Sequence, residues 1–335
     1  MIVGYVEPSK EAPELARAEI AGAVESLDGT VAPAERSAFD GLIELELPVP
    51  ASLPLLASRL ALARRTLLPV GPAATLGEAA LAEGRSRRSA AFRRLGRPGA
   101  AADASVRDAG RAYVAGGGAI DLDRPQTRYW IATQRDGSEH LLVESAAVDR
   151  AEFARRAMPR LPFRRPVSLP PRLARAATNL AAVRPGELVL DPFLGTGALL
   201  AEAALLGARV YGLDADPAMV RGALRNLEHL GLHAEALAEG DARVVGFPGP
   251  PPVFDAIVTD PPYGRSSASV GGEPGRLVPE VLDRWQRSVR PGGRVVVLSP
   301  GGPASLSAPW VEDCRVAVRV HRSLTREFRR YRRAV

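Results

Sequence analysis

The chain predicts an α/β protein, with a doubly wound sheet over residues 172–335 preceded by a smaller α+β domain over 1–149. Three observations carry this. Short apolar runs at Leu188–Leu190, Val210–Leu213, Ala256–Val258 and Arg294–Leu298 alternate with helical spacing over 197–206, 216–230 and 276–290. Strands alternating with helices wind into a largely parallel sheet covered on both faces. A loop carrying Gly195 and Gly197 joins the first apolar run to the next helix, where such sheets bind ligands. Residues 150–171, rich in Arg and Pro, separate this pattern from what precedes it and read as a connector.

Before the connector the elements follow in a different order. Residues 2–6 read as a strand, and 10–27 carry Leu15, Ala18, Ile20, Ala23 and Leu27 at helical spacing. Gly41–Pro48 alternates apolar and polar residues, as a half-buried strand does. A helix is expected over 51–65, ending in Arg64-Arg65, and another over 72–84. Ser89–Arg94 reads as a strand, 101–114 as a helix ending before Gly116-Gly117-Gly118, and 119–122, 129–132 and 141–143 as strands. This region has no nucleotide-binding fingerprint.

Composition narrows the chemistry. Of 335 residues, 46% are hydrophobic, enough for a sizeable core. The net charge of +6 is unevenly spread: residues 1–150 hold 18 cations against 20 acids, 151–183 hold 7 Arg against one Glu, and 315–335 hold 8 Arg against Glu327 alone. A local excess suits a polyanionic partner. Lys10 is the only lysine, and with abundant Ala, Gly and Pro this Arg bias reflects a GC-rich genome, so the position of Arg is informative and its choice over Lys is not. Cys314 is the only cysteine, which excludes an intrachain disulfide and a Cys-based zinc site. His229 and His233 stand four apart, but Gly231 lies between them and nothing completes a metal shell. No apolar run approaches the ~20 residues that span a bilayer, and the N-terminus lacks a signal-peptide pattern. A cytoplasmic protein with no membrane or metal partner, monomeric or weakly oligomeric, is expected.

Four motifs carry chemistry. In Leu188–Glu202 a buried strand ends at Asp191, and Pro192-Phe193-Leu194-Gly195-Thr196-Gly197 leads into a helix. A dinucleotide fingerprint would need glycine where Leu200 stands, and no Gly-Lys pair exists for a P-loop. A glycine loop without lysine, opened by an acid, suits a cationic, non-phosphorylated ligand such as S-adenosyl-L-methionine (AdoMet). In Gly212–Pro217, Asp214 closes the second strand, where an acid can accept both hydroxyl hydrogens of a ribose; capping the next helix is the alternative. Asp216-Pro217 reads as the N-cap and first position of that helix, with Ala215 between the two acids. Asp241-Ala242 follows a short strand and either accepts from an adenine amino group or forms a surface turn. Finally, Asp260-Pro261-Pro262-Tyr263 follows a buried strand. An exocyclic amine is a poor nucleophile because its lone pair is delocalised, so a catalyst must align it and accept hydrogen bonds as positive charge develops. Asp260 offers a carboxylate, Pro261 a carbonyl, Pro262 stiffness, and Tyr263 a face on which a base stacks.

These motifs resemble the amino-group class of Rossmann-like AdoMet methyltransferases. Arg165–Leu180, Asp191–Gly197, Thr259–Ser267 and His321–Arg326 together resemble the archaeal tRNA (guanosine-10 N2) methyltransferase family. The resemblance implies a Rossmann-like methyltransferase domain behind an N-terminal RNA-binding domain, ferredoxin-like plus THUMP. It implies AdoMet bound by Asp191, Pro192, Phe193, Gly195, Thr196, Gly197, Asp214, Ala215, Asp241 and Ala242. It further implies a target guanine held by Asp260, Pro261, Pro262 and Tyr263, and transfer of one or two methyl groups to N2 of guanosine 10. Asp rather than Asn before Pro-Pro-Tyr favours that group over enzymes acting on other guanines or on DNA adenine. An inactive RNA-binding scaffold is the alternative of another class. Arg87, Arg88, Arg93 and Arg94, with Arg164 and Arg165, are the candidate contacts to tRNA phosphates; a merely solvated face is the other reading of the 85–97 run.

Overall fold

The computed structural model describes residues 1–72, 89–96, 100–166, 168–245, 253–262, 276–300, 306–321 and 324–335. The helix expected over 72–84, Arg87, Arg88 and Tyr263 lie outside the described residues, apart from Pro72 itself. The chain divides into two compact units: one of Met1–Ser9, Leu27–Ser58 and Ala63–Val148, the other of Lys10–Ser26, Arg59–Leu62 and Asp149–Val335.

The first unit is α+β. Its strands are β1 (Ile2–Pro8), β2 (Thr30–Val31), β3 (Ile43–Leu47), β4 (Ala63–Pro72), β5 (Ser89–Arg94), β6 (Ala119–Ile120), β7 (Thr127–Thr133) and β8 (Glu139–Ala147). They form one sheet in the order β2-β3-β1-β4-β8-β7-β5-β6. The sequence puts a helix through Arg65, but helix α2 is Ser52–Arg59, and Arg64 and Arg65 belong to β4. Neighbouring strands decide this: Arg65 bonds Glu7 of β1 (2.8 Å) and Glu144 of β8 (2.9 Å), pairings that only a strand between them allows. Ser89–Arg94 pairs with β7 in parallel, and Phe92 stacks on Tyr129 at 5.0 Å. Helix α3 (Ala100–Ala115) adds Ala109 and Tyr113 to this core.

The second unit holds the doubly wound sheet. Its strands are β9 (Leu188–Asp191), β10 (Arg209–Asp214), β11 (Ala236–Glu239), β12 (Phe254–Thr259), β13 (Val289–Ser299), β14 (Trp310–His321) and β15 (Leu324–Arg333). The order is β11-β10-β9-β12-β13-β15-β14. The first five strands run parallel, and β15 joins antiparallel. From β9 the chain goes first to β10 on one side and later to β12 on the other, so the switch point lies between β9 and β12. The strands read as unbroken apolar runs because both faces are covered. Ala256 and Val258 of β12 and Val296 and Leu298 of β13 face one core, with α1 (Pro13–Glu25), α5 (Pro171–Leu180), α6 (Ala198–Leu205) and α7 (Pro217–His229). Ile257, Val295 and Val297 face the other, with α8 (Leu277–Trp285).

Two boundaries differ from the sequence reading. Helix α1, expected in the N-terminal domain, packs in the second unit. Gly22 lies so close to α5 that a Cβ there would stand 2.1 Å from the Asn179 carbonyl oxygen. Glu19 is fully buried and accepts from the backbone N–H of Ala61 (2.8 Å) and Leu62 (2.7 Å) and from Asn179 Nδ2 (3.0 Å). The supposed connector is likewise built in. It carries helix α4 (Arg150–Arg155), and the buried Arg156 bonds Glu202 Oε1 at 2.6 Å, a carboxylate shared with Arg175 at 2.8 Å. Arg and Pro in a row do not reveal such long-range partners.

The Arg-rich C-terminus forms the β14–β15 hairpin. Its cations meet acids outside their own stretch: Arg330 and Arg332 both pair with Asp313 and Glu25, and Arg315 pairs with Glu312. Much of the local positive excess is therefore spent inside the fold.

Candidate active site

At the carboxyl end of the switch point a cavity of about 640 Å³ opens. Asp191, Phe193, Gly195, Asp214, Asp241 and Asp260 line it, and Pro192, Thr196, Ala215, Ala242, Pro261 and Pro262 complete that wall. Of the described residues expected to hold the cofactor or the target base, only Gly197 is not in the lining. Its φ of +81° starts helix α6, and a Cβ there would press on Ala223 at 3.1 Å. Gly195 is also left-handed, at +53°. The loop thus turns within a few residues from β9 into α6.

Asp214 anchors this loop. Its Oδ2 accepts from Gly195 N–H at 2.8 Å and its Oδ1 from Asp216 N–H at 2.9 Å. Each carboxylate oxygen has a second lone pair for a ligand hydroxyl, which fits a ribose. Burial raises the Asp214 pKa, and the two backbone N–H groups oppose that shift. Asp216 caps α7 by accepting from Ala218 N–H at 2.8 Å, with Pro217 at the first helical position.

Asp191 is 1% exposed. It accepts from Thr259 Oγ1 at 2.7 Å and Phe193 N–H at 3.0 Å. Burial nonetheless pushes its pKa up to about 7, and the charges of Asp214 and Asp260 act in the same direction. Asp241 makes an Asx-type turn with Arg243 N–H (2.9 Å), and the Arg243 guanidinium grips both of its oxygens. Trp285 Nε1 fixes the next residue by donating to the Ala242 carbonyl at 3.0 Å. The turn reading of Asp241 is therefore realised at the cavity wall, with Arg243 competing for the carboxylate.

Asp260 differs from the other acids. Its Oδ1 is buried without a hydrogen-bond partner among the described residues, while Oδ2 lies 3.3 Å from the Arg326 guanidinium. Burial pushes its pKa up to about 6, opposed by Arg326. A buried acceptor without a partner costs stability, and such groups collect where a ligand supplies the missing donor.

The candidate phosphate contacts are scattered in role. Arg93 is exposed and donates to the Leu122 carbonyl at 3.2 Å. Arg94 is engaged by Glu139 and by Thr133 Oγ1, so it is already committed to its own sheet. Arg164 is exposed, but Arg165 lies over the Phe163 ring, 4.8 Å from its centroid, and lines the cavity. Ser168, Leu169 and Met219 also line it, unforeseen from sequence. Arg326 was visible as the last residue of the His321–Arg326 stretch and as one of the 8 Arg of 315–335, with no role of its own. Among the described residues no acid, His and Cys cluster suits a metal, and no helix is long and apolar enough to cross a membrane.

Comparison with known proteins fits this geometry. Residues 160–325 match the RMKL-like methyltransferase domain. The chain is 36% identical over 214 residues to the tRNA (guanine(10)-N2)-dimethyltransferase of Methanothermobacter thermautotrophicus, covering 63% of this chain and 62% of that protein. It thus spans less than two thirds of that relative's length. It is 30% identical over 167 residues to a probable tRNA (guanine(10)-N2)-dimethyltransferase of Methanothermococcus thermolithotrophicus, covering 48% of this chain and 98% of that protein. The crystal structure of TrmN from Thermus thermophilus is similar in fold, with a TM-score of 0.50 at 24% identity over 99% of both chains. With a relative matched over nearly its whole length and the RMKL-like domain around the cavity, the chain belongs to the tRNA (guanine(10)-N2)-dimethyltransferase family.

Proposed function

We propose that this protein transfers one or two methyl groups from AdoMet to the exocyclic N2 of guanosine 10 in tRNA. The observation that carries the reading is Asp260 Oδ1, a buried acceptor without a partner among the described residues, in the wall of a cavity already lined by the glycine loop and Asp214. AdoMet, when bound, supplies a methyl group on a sulfonium centre. The chain's own groups do the rest. Asp214 holds the ribose hydroxyls, while the Asp241-Ala242 turn meets the adenine. Asp260 Oδ1 and the Pro261 carbonyl accept hydrogen bonds from the guanine amine, which strengthen as the nitrogen gains positive charge. The rigid Pro261-Pro262 pair holds the two acceptors together. No covalent enzyme intermediate is required. Tyr263 is assigned the stacking role on its sequence position alone.

The N-terminal unit is assigned to tRNA docking, as the ferredoxin-like and THUMP resemblance implies, and the enzyme to the cytoplasm. Mass spectrometry of nuclease fragments of tRNA, and of DNA, each incubated with protein and AdoMet, tests the reading. N2-methyl- or N2,N2-dimethylguanosine at position 10 is expected; methylation of another guanine, or of adenine in DNA, would overturn it.

A further inference from the structure

Asp260 and Arg326 are far apart in the chain, one just after β12 and the other on β15. Their side chains are 16% and 6% exposed, and the guanidinium stands 3.3 Å from Oδ2. The pair leaves the two oxygens unlike: Oδ2 faces a cation, and Oδ1 is buried without a partner among the described residues. Asp191 on β9 is an acid whose own ionisation is opposed by the Asp260 charge, and Asp214 on β10 adds a further negative charge to that cluster. The Thr259 hydroxyl donates to Asp191 rather than to Asp260.

We propose that Arg326 is a positioning residue for methyl transfer: it orients Asp260 by holding Oδ2, and its charge keeps that carboxylate an acceptor for the target amine. This rests on the reading that Asp260 accepts the guanine amine. A protonated Asp260 would present a hydrogen-bond donor toward a group that itself donates. The cost of burying the carboxylate must therefore be offset by a cation, and Arg326 stands in ion-pair contact with it. Burial still holds the pKa near the bottom of the physiological range, at about 6, so little margin remains when the cation is removed.

The test is the pH profile of kcat/KM for tRNA methylation by the full-length Arg326→Gln variant, with AdoMet affinity measured by calorimetry. The acid limb is expected to move upward by about one pH unit or more, the scale of losing an adjacent opposite charge. AdoMet affinity should stay near wild type, and activity should recover at alkaline pH. Arg326→Lys, which keeps the charge on the same strand, should return the limb toward wild type. A loss by the same factor at every pH, or an unmoved limb, overturns the proposal. Should the Gln variant fail to fold, the Lys variant decides: an acid limb displaced upward by about one pH unit or more although the charge is kept refutes the charge role. A titration of the Asp260 carboxyl by carbon NMR, assigned with Asp260→Asn, separates the two readings. Without methylation of tRNA by wild type the proposed function falls, while equal Asp260 midpoints in wild type and Arg326→Gln refute the role of Arg326.

Discussion

Thr259 Oγ1 donates a 2.7 Å hydrogen bond to Asp191 Oδ1, tying the last residue of β12 to the last residue of β9 across the switch point. Both residues are buried. The bond links the end of the strand that opens the glycine loop to the strand that delivers Asp260. Replacing Thr259 with Val keeps the shape and removes the donor. Unfolding by urea should show a loss of about 1–3 kcal/mol, the cost of leaving a buried acceptor short of a partner. Unchanged stability would mean that the bond contributes nothing.

Asp214→Ala removes the acceptor for both Gly195 and Asp216 N–H. AdoMet binding measured by calorimetry should weaken by about 1–3 kcal/mol, the scale of lost hydrogen bonds to a charged group, with tRNA affinity hardly altered. Wild-type AdoMet affinity would remove Asp214 from the ribose site.

Asp260→Asn should lower single-turnover methylation by roughly a hundredfold or more, as expected for an interaction made mainly in the transition state. Binding of AdoMet and tRNA should persist. The same substitution has a second readout. Burial pushes the Asp260 pKa up from the ordinary carboxylate range to about 6, so folding favours its protonated form. That contribution is fully present below about pH 4 and is lost as pH rises through the folded pKa. Stability of the ligand-free wild type relative to Asp260→Asn should therefore fall between about pH 4 and 7. Parallel stability curves would contradict the raised pKa.

Removing α1 should unfold the methyltransferase unit. Leu15 and Ala16 belong to the core around β9 and β13, and a buried leucine contributes about 1.5–3 kcal/mol. The sequence alone suggests that a 172–335 fragment would bind AdoMet; the structure predicts that this fragment, lacking α1, Arg156 and Arg59–Leu62, does not fold cooperatively. Within the full chain, Glu19→Gln aims an amide donor at backbone N–H groups and should cost about 1–3 kcal/mol in urea unfolding. A cooperative melt of the fragment would refute this partition.

The arginines of β5 should separate. Arg93→Gln should weaken tRNA binding and flatten its salt dependence by up to about one unit of log–log slope for a lost phosphate contact. Arg94→Gln should act on stability through Glu139, with the salt slope unchanged. Equal salt slopes in wild type and Arg93→Gln would make this edge of the run a solvated face.

What the amino-acid order determined by itself is local. Apolar runs, glycines and closing acids are read within a few residues, so β9, β10, β12, β13, Asp191, Gly195, Gly197, Asp214 and Asp260 were all legible, as was the α/β class. Periodicity and turn chemistry act over short stretches of chain, and a strand buried on both faces declares itself by an unbroken apolar run. The tertiary structure decided the partnerships. Arg64 and Arg65 entered a strand because Glu7 and Glu144 flank Arg65 there. Helix α1 joined the second unit because Gly22 permits contact with Asn179 and Glu19 fastens Ala61 and Leu62. The C-terminal arginines read as a local positive excess suited to a polyanion, yet Arg330 and Arg332 are held by Glu25 and Asp313, and Arg326 by Asp260. An ion pair between residues far apart in the chain leaves no periodic trace. Its energy depends on burial and on distances that exist only once the sheet has brought the strands together.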